Sequence, residues 1–184
     1  MNQQEIIKGC IDRSNKAQQA LYNLFADDMF GVCLYYSPDR SEAEDTLHEG
    51  FLKVVNNIAS FKGEGSLKGW IRRIMVNTAL EKFRKKSPLY VLDNDGYETA
   101  GDVDRENIIS NISADDLITL IQGLSPQYRM VFNLYALEGY SHKEIAEMMK
   151  ISEGTSKSNL ARARAILQKK VKEYFYISSK THNG

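Results

Sequence analysis

The sequence predicts an all-α protein of two small helical domains joined by an acidic flexible linker, with a helix-turn-helix in the C-terminal domain. Three observations predict this fold class. Apolar residues recur every three or four positions, and few runs alternate apolar and polar residues as strands do. Only three prolines occur among 184 residues. Between residues 87 and 112 the apolar period stops, and the chain becomes acidic and rich in turn-forming residues.

The first domain, residues 1–86, is predicted to contain a long helix in its first half. Ser14 is a favourable N-cap for this helix. The apolar period that follows continues to about Tyr36, where the Ser-Pro-Asp sequence of residues 37–39 interrupts it.

The next helix is predicted to start with a capping box, because Glu44 follows Ser41 by three residues. Its apolar positions fall on one face: Ala43, Leu47, Phe51, Val54 and Ile58. The opposite face carries acidic and amide side chains around a leucine: Asp45, Glu49, Leu52 and Asn56. An exposed leucine among carboxylates suits a docking surface for a partner with a basic rim. Single leucines on a solvated surface are also common.

A third helix is predicted to follow a loop at residues 61–66, with Ser66 as its cap and its end before Pro88. Its predicted buried stripe is Leu67, Trp70, Ile71, Ile74 and Thr78. On the exposed flank Asn77 lies between Arg73 and Arg84. An amide between cations can hydrogen-bond a base while the cations contact phosphates.

The loop before this helix is a candidate for close approach to nucleic acid, since Gly63 and Gly65 have no side chains. Phe61 and Trp70 either stack on bases or belong to the core. The "GEGS" sequence is not a phosphate-binding loop, because it lacks the required spacing and the Lys-Ser/Thr ending.

The stretch at 87–112, with six Asp/Glu and one Arg, is predicted to be the linker, and residues 113–184 form the second domain. This domain starts with "SADDLITLIQGL". Ser125 and Pro126 then form an N-cap with proline at the first helical position, and the helix that follows stops at Gly139.

The last two predicted helices form the helix-turn-helix. Ser141 and Glu144 predict a capping box, residues 150–151 form the turn, and Ser152 caps a helix that runs to about Tyr174. Leu160, Ala163 and Leu167 share its inner face. Polar and cationic residues are assigned to the opposite face: Thr155, Ser158, Asn159, Arg162 and Lys169. Lys157 lies on the flank of that face, within reach of a phosphate.

Such a polar and cationic face is typical of a recognition helix in the major groove, although a solvated surface helix has a similar pattern. Arg164 is the exception, because it falls on the side of Leu160. We expect its stem to pack and its guanidinium to pair with Glu144 or Glu147.

The chain has no net charge, but its charges are strongly segregated. Residues 62–86 and residues 150–184 each hold eight Lys/Arg against two Asp/Glu, whereas the three other segments are acidic. Charge blocks are usually solvated faces. Two basic blocks on two helices also fit two contacts with one polyanion.

Several function classes lack support in the sequence. No apolar run approaches the roughly 20 residues of a membrane span, and the N-terminal residues lack the apolar core of a signal peptide. Cys10 and Cys33 have no metal-type spacing and indicate a reducing cytosol. His48 has no second histidine four residues on, so no zinc site is predicted. No catalytic constellation and no cofactor site are predicted.

Two stretches of the chain, in this order, resemble the extracytoplasmic-function sigma factors of the sigma-70 family. They are "AEDTLHEGFLKVVNNIASFKGEGSLKGWIRRIMVNTALEKFRKK" and "LSPQYRMVFNLYALEGYSHKEIAEMMKISEGTSKSNLARARAIL". The resemblance covers about residues 18–86 and 113–172. It implies a cytoplasmic initiation factor that binds core RNA polymerase and promoter DNA and is regulated by an anti-sigma factor. It implies no enzymatic activity and no insertion into the membrane.

The resemblance also implies roles for individual residues. Asp45, Glu49 and Leu52 would dock on the polymerase clamp helices, and Asn56 shares their face. Asn77 would capture a flipped base of the −10 element together with the preceding loop, Lys62, Gly63, Glu64, Gly65 and Ser66. Arg73 and Arg84 complete the −10 set as phosphate contacts. The −35 reader would contain Thr155, Lys157, Ser158 and Arg162, with Asn159 and Lys169 on the same face.

Two departures from the family pattern put the −35 sequence in question. Many members carry a valine after the Gly-Thr and an arginine after the Lys-Ser, where this chain has Ser156 and Asn159. The alternative function is a helix-turn-helix DNA-binding regulator with no polymerase-docking role. That alternative explains the second domain but leaves the first basic block and the docking face unexplained.

Overall fold

The computed structural model describes residues 1–86 and 112–181, with side chains up to Phe175. The regular secondary structure in these residues is entirely helical, so the all-α prediction is confirmed. The chain divides into two compact units between Phe83 and Arg84. None of the described helices is both long enough and apolar enough to cross a bilayer. The predicted linker lies outside the described residues, apart from Ile112.

The first unit contains three α-helices, a short 3₁₀ turn and all but the last three residues of a fourth α-helix. They are α1 (Gln3–Ile11), α2 (Asn15–Tyr36), α3 (Arg40–Asn57), the 3₁₀ turn (Ile58–Ser60) and α4 (Leu67–Lys86). Ser14 caps α2 as predicted, because its hydroxyl accepts a hydrogen bond from the Ala17 amide. Helix α1 was not predicted. Its signal is a capping box in which Asn2 and Glu5 exchange hydrogen bonds.

The predicted capping box at Ser41 is wrong. Asp39 is the N-cap of α3, and its carboxylate accepts a hydrogen bond from the Glu42 amide at 2.9 Å. Aspartate caps as well as serine does, so the helix begins as soon as the chain leaves Pro38. Glu44 instead forms an ion pair with Arg40, with 2.9 Å between Oε1 and Nε.

The core of the first unit follows the predicted apolar positions on α3, all five of which are buried. On α4 the predicted stripe is only partly correct. Leu67, Ile71 and Thr78 are buried, whereas Trp70 and Ile74 are half-buried. The buried face of α4 is wider than predicted and also includes Met75, Val76, Ala79, Leu80 and Phe83.

Ion pairs connect α4 to its neighbours within this unit. Lys53 of α3 lies 2.7 Å from Glu81, and Asp28 of α2 lies 2.6 Å from Lys68. These pairs are at least partly exposed, so each contributes little stability by itself. They lie at the edges of the buried face of α4.

The second unit contains four α-helices. They are α5 (Ala114–Gln122), α6 (Pro126–Ala136), α7 (His142–Met149) and α8 (Glu153–Thr181). Pro126 occupies the first turn of α6 as predicted, but the Ser125 side chain makes no capping hydrogen bond. The capping box of Ser141 and Glu144 is confirmed. Helix α8 continues past the predicted end at Tyr174.

A tight turn joins α7 to α8. Lys150 adopts the left-handed conformation, with φ 56° and ψ 44°, and its amide and that of Ile151 both donate to the Ala146 carbonyl. This is a common helix C-terminus. The turn brings Ile145 and Met149 of α7 into one core with α8, whose buried apolar residues are Leu160, Ala163 and Leu167. The predicted inner face of α8 is therefore confirmed.

Candidate nucleic-acid interface

The first candidate surface is the flank of α4 that carries Arg73, Asn77 and Arg84. Arg73 and Asn77 are exposed, and Arg84 is half-buried in the last turn. Lys85 and Lys86 follow Arg84, and cations at a helix C-terminus interact favourably with the helix dipole. The flank can therefore present one amide and several cations to a polyanion.

The loop before α4 depends on its glycines. Gly63 and Gly65 have φ of 77° and 81°, a region that other residues rarely adopt. Lys62, Glu64 and Ser66 are exposed, and the Ser66 hydroxyl accepts a hydrogen bond from the Gly69 amide at 3.0 Å, which starts α4. The loop is thus an exposed turn that leads directly into α4.

Phe61 and Trp70 lie at the base of this loop. Their rings are 5.6 Å apart and tilted by 53°, a favourable aromatic geometry. Both residues are half-buried. They pack against each other and keep part of their surface exposed.

The predicted docking face on α3 is mostly exposed. Asp45 and Asn56 are exposed, and Leu52 is the most exposed large apolar side chain of the described residues, at 66%. Glu49 is more constrained, since its carboxylate oxygens lie 3.5 Å from the Lys53 ammonium and 3.9 Å from that of Lys82. The face therefore has an exposed centre and an acidic edge that is already ion-paired.

A groove beside this face was missed by the sequence analysis. It has a volume of about 1010 Å³ and lies between the C-terminal end of α1, the N-terminal half of α2 and α3. Leu52 and Asn56 line one wall and Ile11 lines the other, while the rings of Tyr22 and Phe51, 4.8 Å apart, contribute to its lining. The groove depends on α1, which the sequence analysis did not predict.

The second candidate surface is the outer face of α8. Thr155, Lys157, Ser158 and Lys169 are exposed, and Arg162 is half-buried. Ser152 caps the helix, because its hydroxyl accepts a hydrogen bond from the Thr155 amide at 3.0 Å. The hydroxyl of Ser158 donates to the Thr155 carbonyl at 3.0 Å. The first two turns therefore present hydroxyls and a lysine, as predicted.

Asn159 does not belong to this face, and its assignment there was wrong. The residue is only 3% exposed, and its Nδ2 has no hydrogen-bond partner among the described residues. At about 100° per residue, Asn159 lies roughly 70° from the centre of the Leu160–Leu167 stripe. A residue at that angle is buried when a neighbouring helix covers the flank.

The expected ion pair of Arg164 is also wrong. Its guanidinium carbon lies 5.4 Å from the centre of the Tyr135 ring, and the residue is exposed. The Glu144 carboxylate is instead engaged by the Ser141 amide and hydroxyl at 2.8 Å and 2.7 Å. A cation above an aromatic ring is a favourable alternative.

Ser156 connects the two helices of the helix-turn-helix. The residue is fully buried, and its hydroxyl lies 3.0 Å from Nδ1 of His142, the first residue of α7. The His142 ring stacks on Tyr135 at 4.7 Å. Ser156 therefore positions α8 from within and does not face a ligand.

Comparisons with known proteins identify both units. The family model described as "Sigma-70 region 2" matches residues 21–88, and the family model described as "Sigma-70, region 4" matches residues 114–167.

In the part of the chain that the structure describes, no group of three or more His, Cys, Asp or Glu residues is placed to hold a metal ion.

Two characterised relatives align over almost their whole length. The ECF RNA polymerase sigma factor SigW of Bacillus subtilis is 28% identical over 183 residues, covering 91% of this chain and 98% of that protein. The ECF RNA polymerase sigma-E factor of Haemophilus influenzae is 28% identical over 182 residues, covering 93% and 96%.

A solved structure has a similar fold. It is the sigma factor RpoE of Bartonella quintana in complex with the anti-sigma factor NepR. The similarity has a TM-score of 0.51 at 24% identity and covers 84% of this chain and 96% of that chain. Both family regions in one chain, in this order, together with the full-length relatives, show that the chain belongs to the extracytoplasmic-function sigma factors of the sigma-70 family.

Proposed function

We propose that this protein is an RNA polymerase sigma factor that binds core RNA polymerase and directs promoter-specific transcription initiation. The observation that carries this conclusion is the presence of sigma-70 regions 2 and 4 in one chain. A DNA-binding regulator without a polymerase role would not need region 2. The protein would act in the cytoplasm as an initiation factor and not as an enzyme.

We assign the two promoter elements to the two domains, residues 1–86 and 113–184. The exposed glycine loop at 62–66, Asn77 and the flanking arginines would bind the −10 element. The exposed hydroxyls and cations of α8 would read the −35 element. These assignments are supported by exposure, charge and helix position. Asn159 is removed from the −35 set because it is buried.

Core RNA polymerase is the proposed partner of the α3 face. An exposed leucine surrounded by Asp45, Glu49 and Asn56 provides apolar contact with an acidic rim, which complements a basic partner. An anti-sigma factor is a second proposed partner, as the RpoE protein of Bartonella quintana has one.

The function is tested by adding purified protein to core polymerase and measuring transcription from a randomised promoter pool. We expect initiation at defined sites that share two sequence elements. If the protein neither binds core polymerase nor changes its start sites while it still binds DNA specifically, the simple-regulator alternative is correct.

The docking face is tested with Leu52→Ala and Asp45→Lys. We expect both variants to bind core polymerase more weakly, with the larger effect for Asp45→Lys because it reverses a charge. Leu24→Ala is the matched control, since Leu24 is 54% exposed on α2 and does not line the groove. If Leu52→Ala and Asp45→Lys bind core polymerase as the wild type does, the face is wrongly assigned.

The −10 surface is tested by comparing Asn77→Ala with Arg73→Ala, because both residues are exposed on the same flank. Extracting a base costs a few kcal/mol, which a fitting pocket must offset. Asn77→Ala should relax preference at one −10 position, whereas Arg73→Ala should weaken all promoters and reduce the salt slope by about one. A uniform loss on all promoters with Asn77→Ala would remove its base-reading role.

A further inference from the structure

Glu153 is an acidic residue at the start of the proposed recognition helix. It is the first residue of α8, and one of its carboxylate oxygens lies 2.8 Å from the Lys157 ammonium. The side chains of Glu153 and Lys157 are 52% and 60% exposed. Lys157 belongs to the proposed −35 set, so the ion pair lies on the surface that would face DNA.

The surroundings of Glu153 keep it ionised. The hydrogen bond and charge of Lys157 lower the pKa of the carboxyl group, and the charges of His142 and Lys143 on α7 lower it slightly further. Lys157 is therefore the direct cationic partner of this carboxylate. Any phosphate that approaches this end of the helix-turn-helix encounters the negative charge of Glu153 as well.

The ion pair between Glu153 and Lys157 lies within α8 and contributes little to stability. An exposed pair four residues apart contributes only about 0.3–0.5 kcal/mol. For nucleic-acid binding the same pair has a larger consequence, because a DNA phosphate must replace the carboxylate at Lys157. That replacement lowers the affinity for every DNA sequence, and base contacts made elsewhere on α8 compensate for it only at a correct site.

We propose that Glu153 suppresses sequence-independent DNA binding by holding Lys157 in an ion pair on the recognition surface. The inference rests on the proposed −35 role of α8 and adds a residue that opposes binding. A carboxylate can also accept a hydrogen bond from a cytosine amine. A base contact of that kind would affect one base pair only, which separates it from the role proposed here.

The test is the binding of full-length protein to random-sequence duplex DNA at several salt concentrations. Glu153→Gln should tighten binding roughly three- to tenfold and steepen the salt dependence by about 0.9, because Lys157 becomes free for one more phosphate. Glu173→Gln is the matched control. It makes the same charge change on the exposed C-terminal half of α8 and should leave binding close to that of the wild type.

The role of Lys157 is tested in the same assay. If Glu153 acts through Lys157, the increase in DNA affinity caused by Glu153→Gln should be much smaller in a protein that also carries Lys157→Gln. Unchanged affinity and salt slope with Glu153→Gln, or an effect confined to duplexes with one particular base pair, would overturn the proposal.

A second measurement, the binding of −35 DNA by the polymerase complex, separates this inference from the proposed function. Lys157→Gln and Arg162→Ala should weaken −35 binding by the polymerase complex. If these two variants act as expected and Glu153→Gln does not, only the role of Glu153 is wrong. If none of the three variants changes DNA binding, the assignment of α8 as the −35 reader is wrong, and the role of Glu153 is wrong with it.

Discussion

At the residue scale, Gly50 of α3 lies against the side chain of Met75 of α4. A Cβ atom at this position would clash with the sulfur atom of Met75, which is itself buried. Gly50→Ala should therefore lower the free energy of unfolding by about 1–3 kcal/mol, as overpacked core positions do. Trp70 is the only tryptophan in the chain, so its fluorescence during urea unfolding reports on this unit.

Gly31→Ala is the control for Gly50→Ala. Gly31 lies within α2, and a Cβ atom there would meet nothing within 4 Å. In a helix this change stabilises by about 0.4–1 kcal/mol, so the two variants should shift the unfolding midpoint in opposite directions. Equal effects of the two substitutions would show that the contact with Met75 relaxes without cost.

Cys33 should be chemically inert in the folded protein. Burial raises the pKa of its thiol to about 12, although the charge of Lys82 partly opposes the shift. Because the thiolate is the reactive form, iodoacetamide at pH 8 should modify Cys33 only after urea is added. Mass spectrometry of the alkylated protein measures this, and rapid labelling without urea would contradict it.

Substitutions at Asn159 and Arg162 should distinguish a residue that packs in the core from a residue that reads a base. Asn159 is buried, so Asn159→Ala should leave the preference at every −35 base pair unchanged. Arg162→Ala should change the preference at one base pair by roughly 1–3 kcal/mol. Transcription from single-base promoter variants measures both, and a preference that moves with Asn159→Ala would return that residue to the reading face.

The angular position of a residue around α8 predicts whether most of its side chains are buried or exposed, but this prediction fails at the edge of the buried stripe. Leu160, Ala163 and Leu167 are near the centre of the stripe and were assigned correctly. Asn159 and Arg164 lie roughly 70° from that centre, and one is buried while the other is exposed. Their exposure depends on the neighbouring helices, whose placement the sequence period does not contain.

At the element scale, the capping box of α7 should stabilise the helix-turn-helix. Ser141→Ala removes a hydroxyl that accepts a hydrogen bond from the Glu144 amide and should lower the free energy of unfolding by about 1 kcal/mol. Ser125→Ala is the control, because Ser125 occupies the same position before α6 but makes no capping hydrogen bond with its side chain. Urea unfolding followed by far-ultraviolet circular dichroism measures both, and equal losses would contradict a specific role for the cap.

The contribution of this capping box should also depend on pH. Hydrogen bonds from Ser141 lower the pKa of Glu144 in the folded protein. A lowered pKa means that the stabilisation is complete above the unfolded value, about 4.3, and is lost as the pH falls through the folded value. The difference in the free energy of unfolding between the wild type and Ser141→Ala should therefore shrink as the pH falls below about 4.3.

Helix starts with a serine cap were predicted well, and the errors have local causes. Ser14, Ser66, Ser141 and Ser152 each receive the expected backbone hydrogen bond. The start of α3 was misplaced because Asp39 and Ser41 are both good caps, and the earlier one begins the helix. Helix α1 has only nine residues, so its apolar period is too short to distinguish it from a loop.

At the scale of the whole molecule, the net charge of zero conceals how unevenly the charges are distributed along the chain, and this distribution matters for DNA binding. The chain has 24 basic and 24 acidic side chains, and the basic ones are concentrated in two segments. One is the α4 segment of the first unit, and the other is the α8 segment of the second. Each unit therefore carries its own set of cationic side chains.

Two separate sets of cationic side chains should bind promoter DNA weakly when the protein is free. Once core polymerase holds both units, the second contact becomes intramolecular, which raises overall affinity by about 10²–10⁴ without any new contact. We expect weak, strongly salt-dependent binding by the free protein and sequence-specific binding by the polymerase complex, measured on a promoter duplex and on one with a scrambled −35 element. Nanomolar, sequence-specific binding by the free protein at physiological salt would contradict this division, because one unit would then suffice.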